Sequence, residues 1–351
     1  MSGKEALQKA IGKTLVVEKS IEHLIKVKKE YAIKFVYYDR LNEFAIKPVN
    51  KDAKSIRNFV LDFEKKWGEI SFLLIIGGDQ VIPFFRLKNP CDDGDENVLS
   101  DNPYASRDGD FLIPERVCSR IPDNKDANFI TKQFNKSCRI TKKSFGMSAK
   151  VWKEASKNVY RRIGNPKDLK VSPPVTSDVI KASWLQAKDF LYFNLHGSNI
   201  SANWYGQDQD EYPVALKPDN IQGASGVVAS EACYGAYIIN KSDKDALSLK
   251  FLNEDGVLGF CGSTTIAYGP ATPPSSEADL LVKYFFEYVK QGVTLGESFK
   301  SAKLDFVRKA LRRHGFLDDD DQKTVLQFVL YGDPTIKINF QDKRTERKIK
   351  R

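Results

Sequence analysis

Hydrophobic and polar positions alternate along the chain in two ways. Short apolar runs, SFLLIIGGD (71–79) and segments near 190–195, 226–231 and 257–261, have the length and composition of strands buried on both faces. Between them lie stretches with helical spacing. DAKSIRNFVLDFEKKWG sets Ile56, Phe59, Val60 and Phe63 on one helical face. Further helices are predicted near 124–138, 245–254, 277–291 and 295–314, and in KVWKEASKNVYRRIG. DDDDQKTVLQFVLYGDP begins as an acidic first turn, favourable to the helix dipole, and stops at Gly-Asp-Pro. YAIKFVYYD (31–39) reads as a strand, and TIKINF closes the core. Strand and helix in turn imply an α/β fold with a largely parallel sheet.

Punctuation at VSPPVTSD suggests a division. The reading is an N-terminal α/β subdomain (1–140), a basic helical linker (141–175), a second α/β unit (176–340) and a basic tail (341–351).

Composition narrows the classes. Of 351 residues, 41% are hydrophobic and 29% charged, as in a soluble globular protein. No stretch reaches the roughly 18 apolar residues that span a bilayer, and MSGKEALQKAIGK has no apolar signal core. The expectation is a cytoplasmic protein without a membrane partner. Five cysteines, an odd number with no CxxC pair, give no zinc site; no metal or cofactor is expected. DDGDEN (92–97) is acidic, but its spacing is not that of an EF-hand loop. The net charge of +9 is spread along the chain and accompanies no nucleic-acid signature, so nucleic acid is not an expected partner.

Two apolar runs end in reactive residues. FLYFNLHGSNI carries His196, one of three histidines, and GVVASEACYGA carries Cys233 in the matching place. In open parallel sheets ligands gather beyond the carboxyl ends of the strands. The two are 37 positions apart, which leaves room for one crossover and places them on neighbouring strands. An imidazole beside a thiol favours the thiolate nucleophile. The adjacent Gly197 and Gly235 let backbone N–H groups approach a substrate carbonyl.

These blocks resemble the caspase–hemoglobinase clan of cysteine peptidases, and more closely its gingipain-like (C25) family. LLIIGGDQVIP, PERVCSRIP, GFCGSTTIAYG and FVLYGDPTIKI occur in the family's order, so the resemblance covers roughly 70–337. It implies a caspase-like, mostly parallel sheet flanked by helices, preceded by an N-terminal α/β subdomain. It implies a cysteine endopeptidase that cuts after Arg or Lys, with a protein or peptide as substrate and an upstream activator or inhibitor as a further partner. Carried over residue by residue, His196 is the general base, Cys233 the nucleophile, and the N–H groups of Gly197 and Cys233 the oxyanion hole. Counting back from Arg120 gives Glu115 as the carboxylate orienting the histidine. Asp126 takes the place of the acid in the primary pocket, with Asp123 the better helix cap. Ser263, Thr264 and Tyr268 would line that pocket, Trp204 would contact substrate, and Glu231 is a further carboxylate of the site. The alternative is a catalytically silent regulatory or interaction module on the same scaffold.

Overall fold

The computed structural model describes residues 1–137 and 139–340; the basic tail predicted at 341–351 lies outside them. Twelve strands run β1 (Phe72–Ile76), β2 (Phe85–Lys88), β3 (Asn97–Ser100), β4 (Val117–Ile121), β5 (Ser144–Ala149), β6 (Lys170–Ser172), β7 (Phe190–Asn194), β8 (Trp204–Tyr205), β9 (Val214–Leu216), β10 (Ser225–Ser230), β11 (Gly256–Ser263) and β12 (Phe328–Tyr331). The α-helices are α1 (Lys4–Ile11), α2 (Thr14–Val27), α3 (Ala53–Trp67), α4 (Asn102–Ala105), α5 (Ala127–Phe134), α6 (Lys153–Tyr160), α7 (Leu247–Asn253), α8 (Glu277–Lys290), α9 (Leu295–His314) and α10 (Asp319–Gln327).

Eight strands form one sheet in the order β1-β4-β12-β11-β10-β7-β5-β6, parallel except where β12 meets β11. The central strands β7 and β10 are buried along nearly their whole length, as expected of a sheet covered on both faces. One apolar layer joins β5, β7 and β10 to α7; the other packs α6, α8 and α9 on the opposite face. A third cluster holds α1, α2 and α3 around β1.

Local chemistry explains the helix boundaries. Asp52 caps α3 by accepting from Ser55 N–H, and Ile56, Phe59, Val60 and Phe63 are its buried face, as their spacing predicted. Thr294 caps α9, which ends at Gly315 in the left-handed region. None of the described helices is long and apolar enough to cross a membrane.

Two expectations need revision. Residues 141–175 supply β5, α6 and β6, and β5 pairs directly with β7, so this stretch belongs to the sheet. Residues 31–39 form none of the described strands: Tyr37 makes a single bridge to Ser2, and Tyr31 packs on Phe72 of β1. They have strand composition without a full strand partner.

Candidate active site

The register of β7 on β10 sets the site. Phe193 lies opposite Ser230, and His196 and Cys233 each follow three residues later. Both therefore leave the carboxyl edge of the sheet side by side. Gly197 closes the gap: a Cβ there would stand 2.2 Å from the Cys233 carbonyl oxygen. Only glycine permits that approach. Among the described residues, the N–H groups of Gly197 and Cys233 make no hydrogen bond to another residue, the Cys233 N–H turning only toward its own sulfur, and two such donors at this point are what an oxyanion hole requires.

The backbone of His196 is pinned by paired hydrogen bonds with Tyr205, each 2.8 Å. Its imidazole packs on Trp152, with centroids 4.4 Å apart, and on the edge of Tyr212 at 5.2 Å. Nε2 lies 2.8 Å from Gln207 Oε1. The Gln207 amide is fixed in turn, because its nitrogen donates to Gln209 O and to the Tyr212 hydroxyl. The oxygen facing the ring can only accept, so Nε2 carries the proton and Nδ1 is the free base of the neutral ring. Burial lowers the His196 pKa, and the hydrogen bond to Gln207 partly opposes this.

Cys233 Sγ accepts from Ala267 N–H at 3.3 Å. Burial raises its pKa and the charge of Asp95 adds to the rise, while Ala267 N–H and Lys323 act in the other direction. The resting pair is thus a thiol and a neutral imidazole. Tyr234, next in sequence, has φ of 55°, a conformation costly for a non-glycine residue. It is held there by its N–H on Thr265 O and its hydroxyl on Asp95 Oδ1 at 2.7 Å.

Asp95 belongs to the acidic stretch 92–97, set aside as a calcium loop. It accepts from Ile266 N–H and from Lys323 Nζ (2.7 Å); Asp93 accepts from Tyr268 and from the same lysine. Lys323 is completely buried. Two carboxylates and one lysine thus tie α10 to both loops that frame the thiol. Nothing in the sequence joined positions 93, 95 and 323, although the density of acids at 92–97 was visible.

Several expected site residues lie elsewhere. Glu115 precedes the amino end of β4, which shares a rim with His196 because β4 runs antiparallel to β7, but β4 stands four strands from β7 and the Glu115 carboxylate accepts from Arg107 N–H. Counting back from Arg120 fails because that arginine is itself buried in a two-pronged pair with Asp101 and anchors the β4 edge. Asp126 is an exposed cap of α5, accepting from Asn128 N–H, whereas Asp123 instead holds Gly78 N–H. Trp204 is 3% exposed and packs on Phe193 and Phe251 in the core, so it offers substrate no surface. Ser263 and Thr264 are buried, with hydroxyls spent on Thr265 O and on Leu99 O. Glu231 faces Tyr192 and Asp279 inside the helical layer. Of the proposed pocket residues, Tyr268 stays beside the cysteine loop through Asp93, and Ser263 touches that loop only through its carbonyl, which accepts from Ala236 N–H.

With this geometry in view, the comparisons agree. The model of peptidase family C25 matches residues 14–159 and 160–339. The chain belongs to peptidase family C25 and is a cysteine peptidase. Solved structures share its fold at low identity. The Arg specific cysteine proteinase gingipain R (RgpB) matches at 13% identity over 92% of this chain and 76% of that one, with a TM-score of 0.65. A complex of Porphyromonas gingivalis RgpB pro- and mature domains matches at 13% identity over 92% and 77%, with a TM-score of 0.66. A third, described only as a protease, matches at 15% over 95% and 76%, with a TM-score of 0.63. No curated protein sequence matches the chain.

Proposed function

We propose that this peptidase works through a His196–Cys233 dyad and cleaves after a basic residue. The observation that carries the dyad is the equal offset of the two residues from paired positions on β7 and β10, closed by Gly197 against the Cys233 carbonyl. Nδ1 takes the thiol proton, and the thiolate attacks the scissile carbonyl carbon. The oxyanion forms against the N–H groups of Gly197 and Cys233. Collapse expels the amine, which takes the proton back from the imidazole and leaves a thioester. Water then attacks the thioester with His196 again as base, releasing the acid and restoring the thiol.

Preference for a basic residue is supported by the charge beside the thiol. Asp93 and Asp95 face one lysine, so the cluster carries a net negative charge at the wall of the cleft. A structurally similar peptidase is described as Arg specific. The test is a set of fluorogenic peptides that differ only in the residue before the cut. Cleavage of the Arg or Lys members, lost in Cys233→Ala, supports the reading. Preference for Asp or Asn there would remove the specificity and leave the dyad standing.

A further inference from the structure

Where the two halves of the sheet join, a small cavity gathers cationic side chains. β12 pairs with β4 at a single position, Tyr331 opposite Arg120, and α9 packs on β4 beside that joint. Between them lies a cavity of about 20 Å³, room for one water-sized species. Its polar lining is Asp101, Asn102, Arg116, Cys118, Lys300 and Lys303, and the rest is largely apolar, Phe299 and Leu330 included.

The wall is rich in donors and short of acceptors. Lys303 is 1% exposed. Two of its three Nζ protons go to Asn102 Oδ1 at 2.5 Å and to Phe328 O at 2.8 Å, which leaves one. Arg116 is wholly buried. Its terminal nitrogens donate to Tyr104 O and to Glu64, while its Nε–H has no partner among the described residues. Lys300, half-buried, donates to Glu115 O at 3.3 Å. The one acid on the wall, Asp101, already accepts two hydrogen bonds from Arg120. A buried water is held through acceptors as well as donors, whereas an anion needs donors alone. Charge favours the same occupant. Asp101 is matched by Arg120 and Glu64 by Arg116, but among the described residues neither Lys303 nor Lys300 pairs with a carboxylate. A buried ammonium without a counter-ion is costly, and burial lowers the Lys303 pKa to about 7. A single negative charge in the cavity would let Lys303 keep its proton.

We propose that this cavity binds one monatomic halide ion, chloride in ordinary buffers, held by Lys303 Nζ and Arg116 Nε–H. The volume has no room for a polyatomic anion such as sulfate. Lys303 comes from α9, Arg116 from the residue before β4, and Phe328, which accepts from Lys303, from β12. The ion therefore braces the joint between the two halves of the sheet, at the point where only one residue pair connects β4 to β12.

The test compares sodium chloride with sodium gluconate at equal ionic strength. A ligand that binds only the folded state stabilises it by mass action, so chloride should raise the thermal midpoint of the wild type saturably, by about 2 °C or more at about 0.1 M. Crystals of the wild type soaked in sodium bromide should show an anomalous peak inside the cavity. Lys303→Met keeps an unbranched apolar stem without the charge, and it should lose both the rise and the peak. Should that variant fail to fold, the bromide peak in the wild type decides. Equal midpoints in the two salts, a rise retained in Lys303→Met, or bromide-soaked crystals with no peak in the cavity would each overturn the proposal.

Discussion

At His196 the partner of Nε2 is an amide, and this has a measurable consequence. An orienting carboxylate stabilises the imidazolium; the Gln207 oxygen fixes the tautomer but brings no charge. With the His196 pKa already lowered by burial, the acid limb of the kcat/KM profile should lie below the ordinary histidine range. Gln207→Glu should move that limb to higher pH, because the added charge favours the protonated ring. Gln207→Ala should lower kcat and leave KM nearly unchanged. A limb that stays put in Gln207→Glu would show that residue 207 does not govern the ring. Gly197→Ala should cost on the order of a hundredfold in kcat/KM, because its Cβ would force apart His196 and the Cys233 carbonyl. His196 and Cys233 were legible in the sequence because each ends an apolar run. Gln207 was not. It lies beyond the β8 strand, and the His196–Tyr205 bridge, with Gln207's own backbone bonds to Ser172 and Lys150, brings it back to the ring. The search for a carboxylate by counting led to Glu115, on the right rim but four strands from β7.

At the scale of elements, β10 and α8 meet through a pair of buried acids. Glu231, from the end of β10, accepts from the Tyr192 hydroxyl of β7 at 3.0 Å. Asp279, from the first turn of α8, faces it. Burial raises both carboxyls, Glu231 well above the usual range and Asp279 to about 7. The other charges acting on Asp279 are Glu277, which adds to the rise, and Lys283, which opposes it. A carboxyl that holds its proton in the folded state and loses it readily when unfolded stabilises fully below its unfolded pKa. That stability is lost as pH rises through the folded value, here between about pH 4 and 7. Asp279→Asn keeps the shape without the titration. It should therefore be more stable than wild type at pH 8 by on the order of a few kcal/mol, with the difference vanishing near pH 4. Thermal midpoints of the two proteins across that window provide the check, and a constant difference would contradict it. The acid at 231 was visible in GVVASEACYGA, but its direction was not, since Asp279 is distant in sequence and lies on another helix. The periodicity of α3, α8 and α9 was readable because amphipathic spacing reports burial directly. The stretch 141–175 was misjudged because its basic side chains line the exposed face of α6 and hide the short strands on either side.

For the molecule as a whole, the alternation of strand and helix was enough to predict a mostly parallel α/β sheet with the chemistry at the carboxyl ends of its strands, but not that one sheet runs through both halves and reverses direction between β12 and β11. What alternation cannot show is which distant segments close over that edge. Residues 93 and 95 come from a loop before β3 and residue 323 from α10, yet they meet beside Cys233. Lys323→Met should leave two acids facing each other without a cation. It should cost about 3–5 kcal/mol of stability, read as a fall in the denaturant midpoint, and loosen the loop that carries Ala267. An unchanged midpoint would mean the lysine is not the tie between α10 and the cysteine loop. The most direct test of the dyad is covalent capture of the thiol. A peptidyl electrophile ending in Arg should modify the wild type at Cys233 alone, as read by mass spectrometry of the digested protein, and the loss of peptide turnover should follow that labelling one for one. His196→Ala should slow the labelling by orders of magnitude while keeping its thermal midpoint. Turnover that continues in Cys233→Ala, or in wild type fully labelled at that thiol, would contradict the account.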